Sequence, residues 1–357
     1  MYNINIFANQ TQSTHEGYGY TIYSLWDHIG SSDLPIFFDK IIPPTEIDIL
    51  QKAVPGFGYF KTQTDSVDDV VINISTPEAF VKSNIYSVGF TFWETNKLPT
   101  KWVERCNEMD EIWTCSVSMK DVFINSGVTK PVYEFKLGVD PKIYFPKKRT
   151  PHDKFTFLSI GSPSTRKNSQ ISVDAFLKLF EGNHDYKLIY KSNGPGDARL
   201  YKGTSNQNSI NGHPQIEVID YQVSHEGLAD IYDKADCLLY PTSGEGWGLI
   251  PFQAIAKGIP TICTNALACT EFADMSVPLD FVWGSKNMSG IYSDAGEWAE
   301  PNFDDLCNKM LYIVNNYQEV SDKTYKSAEF INQNMTWEKV SQKYITRCWE
   351  ILKDTRD

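Results

Sequence analysis

Residues Ser243 to Ile262 read SGEGWGLIPFQAIAKGIPTI. Gly244, Gly246 and Gly248 alternate with Glu245 and Trp247 before an apolar run starts at Leu249. Glycine takes backbone conformations closed to other residues and lets a ligand come close to the main chain, so an acid set among glycines marks a site. In front of the loop stands CLLYP (237–241), a short β-rich run. Behind it LIPFQAIAKG (249–258) reads as a helix and IPTICT (259–264) as a further strand. Strand, glycine loop, helix and strand in that order form the repeating module of a parallel sheet with helices on both faces.

The same module recurs in both directions. At the start YNINIF is a strand, ANQTQSTHEGYG a polar loop and YTIYSLWDHI a helix. DDVVINI and IYSVGFTFW are β-rich, PTKWVERCNEM opens a helix with Pro99 near its first turn, and EIWTC is a short strand. SVSMKDVFINSG is a helix ending at Gly127, followed by the strand PVYEFKLGV. DPKIYFPKKRTPHD (140–153), rich in Pro and Lys and without a period, reads as a linker. The alternation then restarts with FTFLSIG, the polar loop SPSTRKN, the helix SQISVDAFLKLF, the strands YKLIYK and QIEVID, and the helix SHEGLADIYDKA. YKGTSNQNSINGHP (201–214) is read as a surface excursion. The tail TWEKVSQKYITRCWEIL carries apolar residues at helical spacing and closes the chain as an amphipathic helix.

The fold class is therefore α/β, with two Rossmann-like domains. The expected division is 1–149 with the linker, 150–335, and a closing helix over 336–357 that packs back on the first domain. A length of 357 residues fits two domains, since single cores tend to split beyond roughly 250 to 300 residues. Doubly wound sheets bind ligands at the C-terminal edges of their strands, which sets the expected site in a cleft between the two domains.

Composition narrows the function classes. A hydrophobic share of 41% and a charged share of 22% are those of a globular protein. The net charge of -12 argues against whole-molecule attraction to nucleic acid or anionic lipid. Seven cysteines without a CxxC pair read as reduced thiols in a cytoplasmic protein rather than a disulfide framework or zinc site. No run of about 18 apolar residues occurs, so no membrane span is expected. The four Asn-x-Ser/Thr matches, at Asn9, Asn73, Asn287 and Asn334, are read as coincidence, since MYNINIF lacks a secretory leader.

GEGWGLIPFQAIAKGIPTI resembles the signature of nucleotide-sugar glycosyltransferases of the GT-B fold, in particular the retaining family 4 type. That pattern is Glu-Gly-aromatic-Gly-Leu with a second Glu eight residues after the first. The likeness extends to FWETNKLPTKWVERCNEMDEIWTCSVSMKDVFINSGVTKPVYEFKLGVDPKIYFP before the linker, to FLSIGSPSTRKN as a phosphate-binding loop, and to the Trp337 helix. It implies a metal-independent enzyme with no cofactor, moving a sugar from a nucleoside diphosphate donor to an acceptor hydroxyl with retention of configuration.

Arg166 and Lys167 follow a strand and precede a helix, where free backbone N–H groups and the helix dipole favour an anion. In the resemblance they hold the donor diphosphate; read locally they are equally a solvated basic pair. Glu245 would contact the transferred sugar, with the amides of Gly246, Trp247, Gly248 and Leu249 holding sugar and phosphate. An acidic neighbour of the helix start is the alternative, against which the glycines count. Gln253 stands where the family carries its second Glu, a ribose ligand, and an amide there hydrogen-bonds without charge assistance. Gly17 and Gly19 fall at the family's glycine loop, although an ordinary tight turn explains them as readily. His15, in the same loop, reaches the cleft or is merely solvated. Glu94 falls where many relatives carry a histidine near the reacting sugar; it orients the acceptor hydroxyl or is a structural carboxylate. Tyr221 and Gln222 fall in the base-binding loop.

Other classes are weighed on the same residues. Glu245 and Glu271 as paired carboxylates suggest a glycosidase, but a hydrolase has no use for a phosphate cradle. Asp68–Asp69 and Asp304–Asp305 read as loop or helix-start acids rather than a metal site. A non-catalytic nucleotide-sugar-binding protein stays open because of Gln253. For the acceptor, a soluble glycan is favoured. Hydroxymethylated DNA is the alternative, through the basic residues Lys142, Lys147, Lys148 and Arg149.

Overall fold

The computed structural model describes residues 4–8, 17–29, 70–82, 86–192, 210, 212–285 and 288–354. His15, Asp68–Asp69, Asn9, Asn287 and most of the 201–214 excursion lie outside them. The chain divides into two compact units. One holds Met1–Trp93, Lys97–Gly138 and Trp337–Asp357, and the other Glu94–Asn96 and Val139–Thr336.

In the first unit the strands β1 (Ile4–Ala8), β2 (Val70–Ile74), β3 (Tyr86–Phe90), β4 (Glu111–Thr114) and β5 (Val132–Glu134) form a sheet in that order, every pairing parallel. The run VVINI is buried at all its positions, as a strand covered on both faces requires. Asn73 belongs to this core: its amide donates to the carbonyls of Val81 and Val88, both at 3.2 Å. The helices are α1 (Gly17–Ile29), α2 (Thr100–Glu108) and α3 (Val117–Ser126). Ser116 caps α3 through the Met119 amide, and Gly127 ends it with a left-handed φ of 107°. The helix α1 begins at Gly17, so Gly17 and Gly19 stand in its first turn rather than in the loop read from the sequence.

The terminal helix, Trp337–Asp354, belongs to this unit. Its Trp337 donates to the Tyr20 hydroxyl at 3.3 Å, and Tyr344 stacks on Phe135 at 4.7 Å while donating to that residue's carbonyl. Arg347 on the same helix reaches Glu111, which is fully buried at the start of β4.

The second unit carries a six-stranded sheet with the order β11-β10-β9-β6-β7-β8. Its strands are β6 (Phe155–Ile160), β7 (Tyr186–Lys191), β8 (Ile216–Ile219), β9 (Cys237–Tyr240), β10 (Thr261–Thr264) and β11 (Val277–Leu279), all parallel. The chain builds outward from β6 through β7 to β8, then returns to the other side of β6 with β9 and continues to β11. The reversal between β6 and β9 is a topological switch point, where the loops at the strands' C-terminal ends diverge and leave room for a ligand. A two-stranded antiparallel ribbon, Phe281–Gly284 with Trp298–Pro301, follows.

Helices α4 (Ser169–Phe180), α5 (His225–Asp233), α6 (Leu249–Ala256), α7 (Phe303–Asn315) and α8 (Tyr317–Asn334) complete the unit. Asn302 caps α7 by accepting from the Asp305 amide, which makes Asp304 and Asp305 helix-start acids. Asp304 pairs with Lys178, and Asp305 accepts from the Asp280 amide.

Residues 140–149, read as linker, are packed into this second unit. Tyr144 is buried with its hydroxyl 2.9 Å from His225 Nδ1. Lys147, Arg149 and Lys257 all converge on Asp233, with Arg149 Nη2 at 2.7 Å and Lys257 Nζ at 3.1 Å. Arg149 also donates to the carbonyls of Asp233 and Lys257, at the C-terminal ends of α5 and α6, where helix dipoles favour cations. Lys148 lies over the Tyr325 ring at 5.5 Å. The basic run read as a surface for DNA therefore spends Lys147 and Arg149 on fastening the chain to two helix ends.

Candidate functional site

Two loops meet at the switch point. One leaves β6 and runs through Arg166 and Lys167 to α4; the other leaves β9 and runs through Thr242 to Gly248 into α6. They are knitted by backbone and side-chain hydrogen bonds: the Ser243 backbone amide donates to the Arg166 carbonyl at 2.7 Å, the Thr242 hydroxyl to the same carbonyl at 3.2 Å, and the Asn168 side-chain amide to the Ser243 hydroxyl. Gly248 starts α6 with a left-handed φ of 91°. These tight loops are what the alternating glycines make possible.

The result is a cluster centred on Glu245 Oε1. That oxygen accepts from Lys167 Nζ at 2.6 Å and from Arg166 Nη1, Tyr240 and Thr242, each at 3.0 Å. Among the described residues none donates to its Oε2. Lys167 also donates to the Tyr240 hydroxyl at 2.8 Å. Burial by itself raises the Glu245 pKa, but Lys167 and Arg166 outweigh it and hold the carboxyl below its usual range. For Lys167 burial wins: its ammonium is held below the usual lysine range despite Glu245. Arg166 loses to burial less than it gains from Glu245 and Glu94, so it is raised and stays charged. Tyr240 is pushed up, first by burial and then by Glu245.

Glu94 reaches the same cluster from far away in the chain. The tripeptide Glu94–Asn96 belongs to the second unit, where the Thr95 hydroxyl donates to the Ala295 carbonyl and Asn96 pairs with Glu297 through N···O at 3.3 Å and Oδ1···N at 2.8 Å. A Cβ on Gly244 would lie 1.8 Å from the Glu94 carbonyl oxygen, so only glycine admits this segment. Glu94 Oε1 lies 3.4 Å from Arg166 Nη2, and Oε2 accepts from the Tyr292 hydroxyl at 2.6 Å.

The structure thus brings together Arg166, Lys167, Glu245 and Glu94. Gly246, Trp247 and Gly248 are buried in the loop, and Leu249 is half-buried at the head of α6. Trp247 packs edge-on against Phe252 and Phe272, at 5.2 and 6.1 Å. Gln253 is buried on α6, and its Oε1 has no hydrogen-bond partner among the described residues. Tyr221 and Gln222 lie exposed after β8, with the Tyr221 carbonyl accepting from the buried Lys191 ammonium at 2.8 Å. Glu271 stands on the 3₁₀ segment Leu267–Met275 and is not a partner of Glu245. Sequence reasoning missed Tyr240, Thr242 and Tyr292. The first two sit at the end of a strand and the start of its loop, the edge where such sheets bind ligands, so position alone marked them.

Comparison with known proteins now bears on this geometry. The family described as family 4 glycosyltransferase in conflict systems has a model that matches residues 117–344. A GDP-mannose-dependent alpha-(1-6)-phosphatidylinositol dimannoside mannosyltransferase of Mycobacterium tuberculosis is 27% identical over 161 residues, 43% of this chain and 40% of that protein. The match thus spans well under half of that relative's length. Among solved structures, sucrose-phosphate synthase from Thermosynechococcus elongatus superposes with a TM-score of 0.67 at 11% identity, covering 99% of this chain and all of that one. Anabaena HepE in complex with UDP and glucose superposes with a TM-score of 0.65 at 12% identity, covering 98% of this chain and all of that one. With two parallel-sheet units of the GT-B type and a family model matched over most of its length, the chain belongs to the family 4 glycosyltransferases in conflict systems.

Proposed function

We propose that this chain is a retaining, metal-independent glycosyltransferase that moves a sugar from a nucleoside diphosphate donor to a hydroxyl of a soluble acceptor. The observation that carries the reading is the convergence of Arg166 and Lys167 on Glu245 at the sheet's switch point. Two similar proteins support a nucleotide-sugar donor, one dependent on GDP-mannose and one with UDP and glucose bound. Two nucleotides appear there, so the base is left to experiment.

In the free protein Glu245 and Glu94 neutralise the two cations. A donor diphosphate brings charge that competes for the same N–H groups, and Arg166 and Lys167 turn to it as negative charge builds on the leaving group. Glu245 keeps Oε2 for a sugar hydroxyl and opposes positive charge developing on the ring. The leaving phosphate takes the acceptor's proton. Gly246 to Leu249 supply backbone amides to sugar and phosphate, and Tyr221 stacks on the base with Gln222 beside it. The seven cysteines are buried and none forms a disulfide, which supports a reducing, cytoplasmic setting. No helix among the described residues is long and apolar enough to cross a membrane. The direct test is a thermal-shift screen of nucleotide sugars, with and without a chelator, followed by mass spectrometry of glycan acceptors and assignment of the product anomer. A chain that binds a donor yet neither transfers nor hydrolyses it would be a binding protein, not an enzyme.

Two expected outcomes follow from the site. Gln253, as a ribose ligand, contributes uniform binding, so Gln253→Leu raises the donor KM more than it lowers kcat, while Gln253→Glu is tolerated. Steady-state kinetics with donor varied decide it; a dominant loss in kcat with unchanged donor affinity removes Gln253 from the ribose. For pH, a depressed lysine loses its proton early as pH rises. The alkaline limb of kcat/KM, which reports the free enzyme, therefore falls at lower pH than an ordinary lysine at about 10.4. Lys167→Arg, always charged, moves that limb upward. Identical limbs in both proteins rule out Lys167 as its source. On the acid side Glu245 contributes stability that is complete above its unfolded value and is lost only as pH falls through its lower folded value.

A further inference from the structure

Beside the phosphate-holding pair stands a second carboxylate whose two oxygens are both engaged. Glu94 Oε1 faces Arg166 Nη2 at 3.4 Å, and Oε2 accepts from Tyr292 at 2.6 Å. Its backbone is fixed as well, by the Thr95–Ala295 and Asn96–Glu297 hydrogen bonds and by the fit of Gly244 beneath its carbonyl. The carboxylate is therefore held in one orientation on the guanidinium that the proposed function assigns to the diphosphate.

A sugar joined to a phosphate held by Arg166 sits one glycosidic oxygen away from that phosphate, next to the guanidinium that Glu94 and Glu245 both contact. Both are acceptor-only groups while ionised, so they welcome hydroxyl or ammonium hydrogens and repel another carboxylate. Lys167 and Arg166 do not offset this for the sugar, because the diphosphate engages them. Specificity here arises from a repulsive element against the wrong donor as much as from attraction to the right one.

We infer that Glu94, oriented by Tyr292, is a specificity-determining residue that restricts the transferred sugar to those without a carboxylate, excluding uronic acids and other acidic sugars. Tyr292 is the positioning residue: it acts through Glu94. The inference rests on the nucleotide-sugar reading of the same site and goes beyond it to the class of sugar. Like charges about 6 to 12 Å apart cost a factor of about ten to a hundred in affinity at an effective dielectric near 20.

The experiment is titration calorimetry with paired donors that share a nucleotide: UDP-glucose against UDP-glucuronate, and GDP-mannose against GDP-mannuronate, with UDP and GDP alone as references. Wild-type protein binds the neutral member of its pair about tenfold or more tightly than the acidic one. Glu94→Gln, which keeps shape and removes charge, lowers that ratio by about threefold or more although Glu245 remains, and Glu94→Asp retains discrimination. Tyr292→Phe narrows the ratio while leaving affinity for the bare nucleotide unchanged, an outcome that loss of structure alone does not give. A ratio unmoved by Glu94→Gln, in protein that still binds the nucleotide, overturns the inference and spares the functional reading. Failure of wild-type protein to bind either nucleotide or any of the donors overturns both.

Discussion

Alanine at both Arg166 and Lys167 lowers sugar transfer by at least about a thousandfold. Each lost contact to charge developing on the leaving phosphate is worth about 2 to 4 kcal/mol, and every 1.4 kcal/mol is a decade in rate. The same double variant strips Glu245 of two of its four donors, leaving a buried carboxylate with only Tyr240 and Thr242. An uncompensated buried charge costs about 3 to 5 kcal/mol, so the variant is also less stable. Adding Glu245→Gln removes that charge and restores stability but not transfer. Denaturant melts and single-turnover assays on both variants separate the two effects. Transfer within tenfold of wild type in the folded triple variant would remove the phosphate assignment.

Arg347→Ala is expected to destabilise the first unit by about 3 to 5 kcal/mol, because it leaves Glu111 buried without its cation. Glu111 Oε2 accepts from Arg347 Nη2 at 2.6 Å and from Tyr86 at 2.9 Å, and Oε1 from Arg347 Nε at 3.2 Å and from Trp113. Arg347 further lies over the Tyr133 ring at 4.3 Å, so truncation loses packing as well as charge. Replacing both partners, as Glu111→Gln with Arg347→Met, costs less than removing the arginine alone. Urea unfolding followed through the fluorescence of Trp113 and Trp337 measures it. A loss below about 1 kcal/mol for Arg347→Ala would mean that the buried pair does not anchor the terminal helix.

Parallel strands were readable because both of their faces are covered and they appear as short apolar runs, VVINI and FTFLSI among them. Helix ends were readable where capping chemistry is local, as at Ser116 and Gly127. Where chemistry is less local, the reading fell short. Residues 140–149 have linker composition, and what fixes them is Asp233, far along the chain. The helices α7 and α8 drew no assignment, although Asn302, Leu306, Met310 and Ile313 carry a cap and a helical period.

The same division holds at the site. Glu245, Arg166 and Lys167 stand out because each lies in a loop directly after a strand. That one carboxylate oxygen gathers four donors depends on the sheet order, which no local pattern encodes. Tyr292 lies 198 residues from Glu94, and neither residue's surroundings announce the other.

The central claim is that Arg166 and Lys167 hold the donor's diphosphate, and a crystal structure of the protein with a nucleoside diphosphate tests it most directly. The account predicts phosphate oxygens within hydrogen-bond distance of Arg166 and Lys167, with Lys167 drawn from Glu245 Oε1 toward the anion. A diphosphate bound elsewhere, with both cations still closed on Glu245, would contradict it.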